Sequence, residues 1–403
     1  MKVLFVSPFL PSPARFGGQR RVDGLMRVLA KRHEVSILAF NATDEWERQS
    51  LEQTRSYCAE VETLPNFEPR ESRSKRLLQL RSLASLGSFE HLLAARRREF
   101  QQKLDSMLSR RDYDVVQVEF AQMAPYRFEK HRRAGRVFVL DEHNIEYDVL
   151  RRTAEAAGGA YRSFYNALNW RKLAREERSA WPRFDGVALT SVRDAALLRQ
   201  DLPACRTAVI PNGVDVATFA RSDTETDPGS VLFFGAINYF PNADGVTFFL
   251  DEVFPKLKQQ RPDATFRVLG PGAPAALKER AGDGVQFLGM VDDVNPHIDR
   301  AAAVVVPLRI GGGTRLKIVE ALSKGKAVVS TRLGAEGIDV VDGEHLLFAD
   351  TPEELAQQLT RVLSDPALAA RLGDAGRRLM EERYSWTSIT HKLEEFYDSL
   401  KQH

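Results

Sequence analysis

The chain has 403 residues, long for one hydrophobic core, so two domains of about 200 residues each are expected. Charged residues make up 28% and hydrophobic ones 43%, an ordinary globular mix, and a net charge of +2 gives no global pull toward nucleic acid. The two cysteines, Cys58 and Cys205, stand far apart without CxxC spacing, which argues against a disulfide framework or a cysteine metal site and fits a reducing compartment.

No apolar run reaches the roughly 18 residues that cross a membrane. The opening MKVLFVSPFLPSPA has a short apolar run broken by Pro8, and reads as a strand and loop rather than a secretion signal. Lys2–Phe9 is the strand, Leu10–Gly18 a proline-containing loop ending in Gly17-Gly18, and Gln19–Arg32 a helix with Val22, Leu25, Met26 and Leu29 on one stripe. Glu34–Phe40 is the next strand. This βαβ opening lacks G-x-G-x-x-G, so it carries no dinucleotide fingerprint.

Residues 70–111 are rich in Lys and Arg, with Leu77, Leu78, Leu80, Leu83 and Leu86 interleaved. Such a stretch fits an amphipathic helix lying on an anionic membrane face, or a solvated helix whose leucines face the core. Asp114–Glu119 and Arg136–Leu140 are strands. The second runs into Asp141-Glu142-His143-Asn144-Ile145-Glu146, at the carboxyl edge where open α/β sheets bind ligands. Glu119, Gln122 and Met123 end the strand before it. His143 with Asp141 or Glu142 could hold a cation, but no second histidine lies close in sequence, so no metal site is expected.

Tyr161–Arg178 reads as a helix, and Gly186–Ser191 and Thr207–Ile210 as closing strands. Pro211-Asn212-Gly213-Val214-Asp215 then punctuates the chain, which places the domain boundary near Asp215. Ser230–Ile237 restarts a sheet, and the turn Asn238–Asn242 leads into a helix through about Leu257. Thr265–Gly270 and Val285–Gly289 are strands, the second running into Met290-Val291-Asp292.

The richest stretch is Ala301–Thr331. Ala302–Leu308 is a valine-rich strand, Gly311, Gly312 and Gly313 follow, and Thr314 caps a helix to about Gly325 before a strand from Ala327. Glycines let amides approach an anion, and a helix amino terminus adds partial positive charge. Arg309, Arg315 and Lys317 add full charges. Glu320 is expensive to bury unless it accepts hydrogen bonds, which a ribose diol would supply. The alternative for Lys317 and Glu320 is a surface i,i+3 ion pair. His345–Phe348 is a last strand, Pro352–Leu363 and Pro366–Glu382 are helices, and Tyr384-Ser385-Trp386 begins the final one.

This glycine-loop helix resembles the donor-binding helix of retaining glycosyltransferases of family 4, the group 1 transferases, in the form found in bacterial polysaccharide biosynthesis. Glu320 matches the second glutamate of that family's E-x7-E motif, with Gly312 at the first position. His143-Asn144-Ile145-Glu146, the linker Pro211–Asp215 and Tyr384-Ser385-Trp386 are similar to further family elements.

The resemblance implies an α/β chain of the GT-B fold: two Rossmann-like doubly wound domains facing a cleft, the last helix crossing back to the first. Residues 1–214 with 385–403 would form the acceptor side and 215–384 the nucleotide-sugar side. The implied reaction moves a sugar from a UDP- or GDP-sugar to a hydroxyl of a glycan or lipid-linked acceptor with retention, without cofactor or metal. It would serve surface polysaccharide or lipid-linked glycan synthesis in the cytoplasm, with peripheral membrane association through residues 73–111. His143, Glu320, Lys317 and Arg309 would carry catalysis. Gly17, Gly18, Asn238, Gly270, Val291, Gly311, Gly312, Gly313, Thr314 and Arg315 would bind the donor, and Glu119, Gln122 and Asn144 would lie on the acceptor side. Rival readings are a catalytically silent nucleotide-sugar-binding subunit and a nucleotide-sugar epimerase.

Overall fold

The computed structural model describes residues 1–41, 45–65, 82, 85, 87–88, 98–156, 160–311 and 315–402. They form two compact units, Met1–Pro211 with Ile389–His403, and Asn212–Ser388.

In the first unit the described residues build a seven-stranded parallel sheet in the order β3-β2-β1-β4-β5-β6-β7. Its strands are β1 (Lys2–Ser7), β2 (Glu34–Asn41), β3 (Glu60–Pro65), β4 (Val115–Glu119), β5 (Val137–Glu142), β6 (Gly186–Leu189) and β7 (Thr207–Val209). Strands β1, β4, β5 and β6 are buried nearly end to end, as parallel strands covered on both faces must be. The order reverses between β1 and β4. At such a switch point the following loops diverge to opposite faces and leave a crevice at the carboxyl ends.

Helix α1 (Gly17–Leu29) starts two residues earlier than the sequence pattern suggests, so Gly17 and Gly18 occupy its first turn rather than the loop before it. Helix α2 (Arg98–Arg110) buries Phe100, Leu104, Met107 and Leu108, so this end of the basic stretch turns its apolar side inward. Most of residues 73–97, on which the membrane-surface expectation rests, lies outside the described residues. Asp141 and Glu142 belong to β5 itself. Strand β3 and the helix Glu45–Arg55 carry no apolar periodicity that sequence reading would detect.

Helices α3 (Glu146–Ala156) and α4 (Ala160–Ala180) follow β5. The second unit has a six-stranded parallel sheet among the described residues, in the order β10-β9-β8-β11-β12-β13. Its strands are β8 (Asp227–Phe234), β9 (Thr265–Leu269), β10 (Val285–Gly289), β11 (Ala301–Val306), β12 (Val328–Ser330) and β13 (Leu347–Phe348). Here the switch falls between β8 and β11. Helix α5 (Phe240–Phe248) follows β8, and α6 (Leu316–Ser323) follows β11. The residue capping α6 is Arg315, while Gly312, Gly313 and Thr314 lie outside the described residues.

The final helix, α7 (Trp386–Lys401), returns to the first unit. Its Glu394 accepts from Arg32 at 2.6 Å and sits 2.8 Å from His33 Nε2. Phe396 and Leu400 press on Gly186 so closely that a Cβ there would come within 2.6 Å of the Phe396 ring.

Candidate functional site

Each sheet gathers polar side chains at its switch point. In the second unit the floor is backbone. Gly235 and Gly270, at the ends of β8 and β9, have φ of +142° and +138°, which side-chain-bearing residues rarely adopt. A Cβ on Gly270 would lie 1.9 Å from the Gly235 carbonyl oxygen, so only glycine lets these two chains touch.

Lys317, in the first turn of α6, reaches over this floor; a Cβ on Gly235 would stand 3.1 Å from its Nζ. The ammonium donates to Asn242 Oδ1 at 2.7 Å and lies 3.9 Å from the centre of the Phe233 ring. Asn242 in turn donates through Nδ2 to the Ala236 carbonyl at 2.8 Å, which fixes its oxygen toward Lys317. Among the described residues no carboxylate comes within salt-bridge distance of Lys317. Burial holds its pKa well below the usual lysine value, and the charge of Arg315 pushes the same way against Glu320. Glu320, one turn along α6, is buried with 4% of its surface exposed.

The other expected donor residues are distributed as follows. Arg309 is carried onto α5, where it pairs with Asp244 at 2.8 Å and covers the Phe248 ring. Arg315 is buried and packs on Gly311, whose φ of +126° again requires glycine. Asn238 packs against Gly272, where a Cβ would meet the asparagine side chain at 2.6 Å. Val291 is a half-buried residue packed on the core, next to Met290, which is 78% exposed. Lys324, four residues after Glu320, is committed to Asp299 at 2.7 Å.

In the first unit Arg21 of α1 makes a two-pronged ion pair with Asp141, at 2.9 and 2.8 Å, and donates to the Pro211 carbonyl at 3.1 Å. Both partners are fully buried. His143 Nε2 stands 2.8 Å from Glu119 Oε2 and 3.9 Å from Asp141 Oδ2. Gln117 Nε2 donates to Glu119 Oε1 at 2.7 Å, and Tyr397 of α7 donates to Gln117 Oε1. Burial pushes Glu119 up to about 7 and His143 down to about 3, so both groups favour their neutral forms.

Phe120 lies on the imidazole with ring centres 3.7 Å apart. It has φ of +65°, a left-handed conformation costly for an aromatic residue. Gly18 makes room for this ring, since a Cβ there would come within 2.8 Å of it. Gly17 opens α1 beside it.

A cavity of about 590 Å³ adjoins this cluster, walled by Phe9, Phe16 and Phe120 and rimmed by Gln122, Glu146 and Arg183. Asn144 donates to Glu146 at 3.2 Å. Gln122 therefore faces open space, whereas Glu119 is sealed beneath His143. Next to them Glu142 accepts from the Trp181 indole and the Ala121 amide, so it anchors the loop after β4. Glu119, Asp141 and His143 each offer a ligand atom within 4.8 Å of the others. Both Asp141 oxygens already accept from the Arg21 guanidinium.

Sequence reading passed over Arg21, Gln117, Phe120, Gly235, Asn242 and Tyr397. Arg21 left one signal: it falls four residues before Leu25, on the apolar stripe of α1, where a charge must find a buried partner. The others become visible only once the strands align.

Two family models match the chain. The one described as Glycosyltransferase Family 4 spans residues 17–218, half of the chain, and the one described as Glycosyl transferases group 1 spans 228–365. A phosphatidyl-myo-inositol mannosyltransferase of Mycolicibacterium smegmatis is 32% identical over 203 residues, 47% of this chain and 51% of that protein. The gpi3 subunit of the phosphatidylinositol N-acetylglucosaminyltransferase of Schizosaccharomyces pombe is 28% identical over 52% of this chain and 47% of its own. The chain spans about half the length of the curated relatives it matches. Among solved structures, sucrose-phosphate synthase from Thermosynechococcus elongatus superposes with a TM-score of 0.71 at 17% identity, covering 99% of both chains. Anabaena HepE in complex with UDP superposes at 0.67 and 19% identity, over 99% of this chain and all of its own. These likenesses identify the paired parallel sheets as the GT-B fold, and with the family 4 model spanning half of the sequence, this chain belongs to glycosyltransferase family 4.

Proposed function

We propose that the chain transfers a sugar from a nucleoside diphosphate sugar to a hydroxyl acceptor with retained anomeric configuration, the second unit taking the donor and the first the acceptor. The observation that carries this reading is Lys317. Its ammonium is enclosed at the β8/β11 switch point and held by an amide oxygen and a ring face, with no salt-bridged carboxylate among the described residues. A cation with no salt-bridged carboxylate among the described residues, set beside glycine backbone, suits a diphosphate. Charge grows on the leaving phosphate as the glycosidic bond breaks, and a preorganised cation with amides stabilises it. The acceptor hydroxyl approaches on the face the phosphate leaves, and the phosphate takes its proton. Glu320 would hold the ribose diol and His143 the sugar hydroxyls.

The relatives named for phosphatidylinositol and phosphatidyl-myo-inositol support a lipid-borne acceptor, which the aromatic wall of the 590 Å³ cavity suits. Such an acceptor would be met at the cytoplasmic membrane face; among the described residues no helix is long and apolar enough to cross a membrane. The UDP in the Anabaena neighbour supports a uridine donor, and a guanosine donor is the other choice.

The test is release of nucleoside diphosphate from a panel of UDP- and GDP-sugars. One donor should be slowly hydrolysed, and Glu320→Ala should abolish the release. The rival is a silent binding subunit, favoured by Gly312 in place of a first glutamate and by a turn at 238–242 with no Arg or Lys. Tight donor binding without turnover on any acceptor would establish that rival.

A further inference from the structure

The polar cluster of the first unit does not end at His143. It continues inward as an unbroken line of hydrogen bonds to the last helix. The Tyr397 hydroxyl donates to Gln117 Oε1. Gln117 Nε2 donates one hydrogen to Glu119 Oε1 at 2.7 Å and the other toward Asp141 Oδ2 at 3.4 Å. Glu119 Oε2 meets His143 Nε2 at 2.8 Å, and Asp141 is pinned by Arg21. Tyr397, Gln117, Glu119, Asp141 and Arg21 are each 0% exposed, and His143 is 6% exposed.

The chemistry of each group allows one arrangement. A carboxamide presents one acceptor end and one donor end, and the Asp141 carboxylate paired with Arg21 can only receive its NH₂, which also reaches Glu119 Oε1. Its oxygen must then face Tyr397, which as a hydroxyl can donate to it. Without that donor the buried amide oxygen is left unpaired, and the amide must shift to find another partner, carrying its NH₂ bonds with it. With the amide fixed, Glu119 Oε1 is occupied and Oε2 alone is directed at the imidazole. The Phe120 ring at 3.7 Å and Thr190, which donates to the His143 carbonyl at 2.9 Å, hold the histidine on its other sides.

We infer that Tyr397 and Gln117 are positioning residues for His143: the hydroxyl of the last helix sets the Gln117 amide, which sets the Glu119 carboxyl, which fixes the ring. Neither residue touches substrate. The inference rests on His143 being the sugar-orienting group proposed above. It assigns a task to a residue 254 positions away in the chain, on a helix whose other contacts with the first unit include the Glu394 ion pair and packing on Gly186.

The test is Tyr397→Phe, which keeps the ring and its packing and removes only the hydroxyl, beside Gln117→Glu, which puts an acceptor where the amide NH₂ stands. Circular dichroism and donor KM should stay as in the wild type. A misdirected catalytic group costs about 10- to 100-fold in rate, so kcat should fall by that order in Tyr397→Phe and further in Gln117→Glu. The His143 ring ¹⁵N resonances, read in the intact protein, should move in both. Conservative Gln117→Asn, which keeps the amide on a shorter stem, should recover part of the rate lost in Gln117→Glu. Unmoved His143 resonances would overturn the inference whether or not the protein is active. So would an active enzyme whose kcat in Tyr397→Phe stays within twofold of wild type. A wild-type protein that hydrolyses no donor, yet whose His143 signals move with Tyr397→Phe, would support the positioning and defeat the function proposed above.

Discussion

Replacing Lys317 by Met keeps the stem and deletes the ammonium, and the structure fixes what each state should lose. In the unliganded protein the charge is desolvated and its hydrogen-bonding partner is a neutral amide oxygen at 2.7 Å. Relieving that desolvation gains on the order of a few kcal/mol, while leaving Asn242 Oδ1 without its donor costs about 1–3 kcal/mol. The two nearly cancel, so unfolding free energy should change by no more than about 1 kcal/mol. A bound diphosphate behaves differently, because there the ammonium makes a charge-assisted bond worth about 1.5–3 kcal/mol, or about 10- to 150-fold in Kd.

The pH dependence follows with its sign. Lys317 is depressed when folded, so the unfolded chain holds this proton across a window where the native chain has lost it. By this group alone, stability therefore rises with pH between the lowered value and the ordinary lysine value. An anion draws the proton back, so nucleotide affinity should weaken across the same window, and Lys317→Met should lose that dependence. Calorimetric titration with UDP and GDP, beside urea unfolding without ligand, measures both quantities. A Kd unchanged within twofold, or a loss of several kcal/mol in the unliganded variant, would mean that the ammonium is a structural anchor, and the reasoning would fail.

Arg309→Ala removes a guanidinium that is 45% exposed and already paired with Asp244, so stability should fall by less than about 1 kcal/mol. Its effect on nucleotide Kd should stay well below that of Lys317→Met, and an equal loss by titration would return Arg309 to the phosphates. Asp141→Asn strands the fully buried Arg21 guanidinium and should cost about 3–5 kcal/mol in urea unfolding; a cost below 1 kcal/mol would show that the pair is not what holds α1 to β5. The Glu119–His143 pair gives a pH test. Glu119, raised to about 7, loses its stabilising contribution as pH climbs from the ordinary carboxyl value to 7, whereas His143, lowered to about 3, loses its own as pH falls from the ordinary imidazole value toward 3. The two slopes oppose each other in mildly acid solution. Glu119→Gln should expose the histidine slope, about 1.4 kcal/mol per pH unit more loss on acidification than wild type, and parallel stability curves would refute the assignment.

Much of the scaffold was legible because buried parallel strands announce themselves. Lys2–Ser7, Val115–Glu119 and Ala301–Val306 are short runs rich in valine between turns, and the structure turns each into a central strand. Strand β3 was not legible, since EVETLP alternates charge along a half-exposed edge and looks like loop. The glycine run before α6 drew sequence reading to the stretch that holds Lys317. What could not be read was the company each residue keeps. Asn242 stands 75 positions from Lys317, and Tyr397 stands 280 from Gln117, so no periodicity connects them. Arg309 shows the converse. Its place after β11 suggested a phosphate ligand, but Asp244 on α5 offers a carboxylate first.

The most direct measurement is a crystal structure of the protein soaked with UDP or GDP. The diphosphate should lie over Gly235 and Gly270 with a phosphate oxygen about 2.8 Å from Lys317 Nζ and the ribose hydroxyls on Glu320. A nucleotide bound elsewhere, with Lys317 still held only by Asn242 and Phe233, would contradict it.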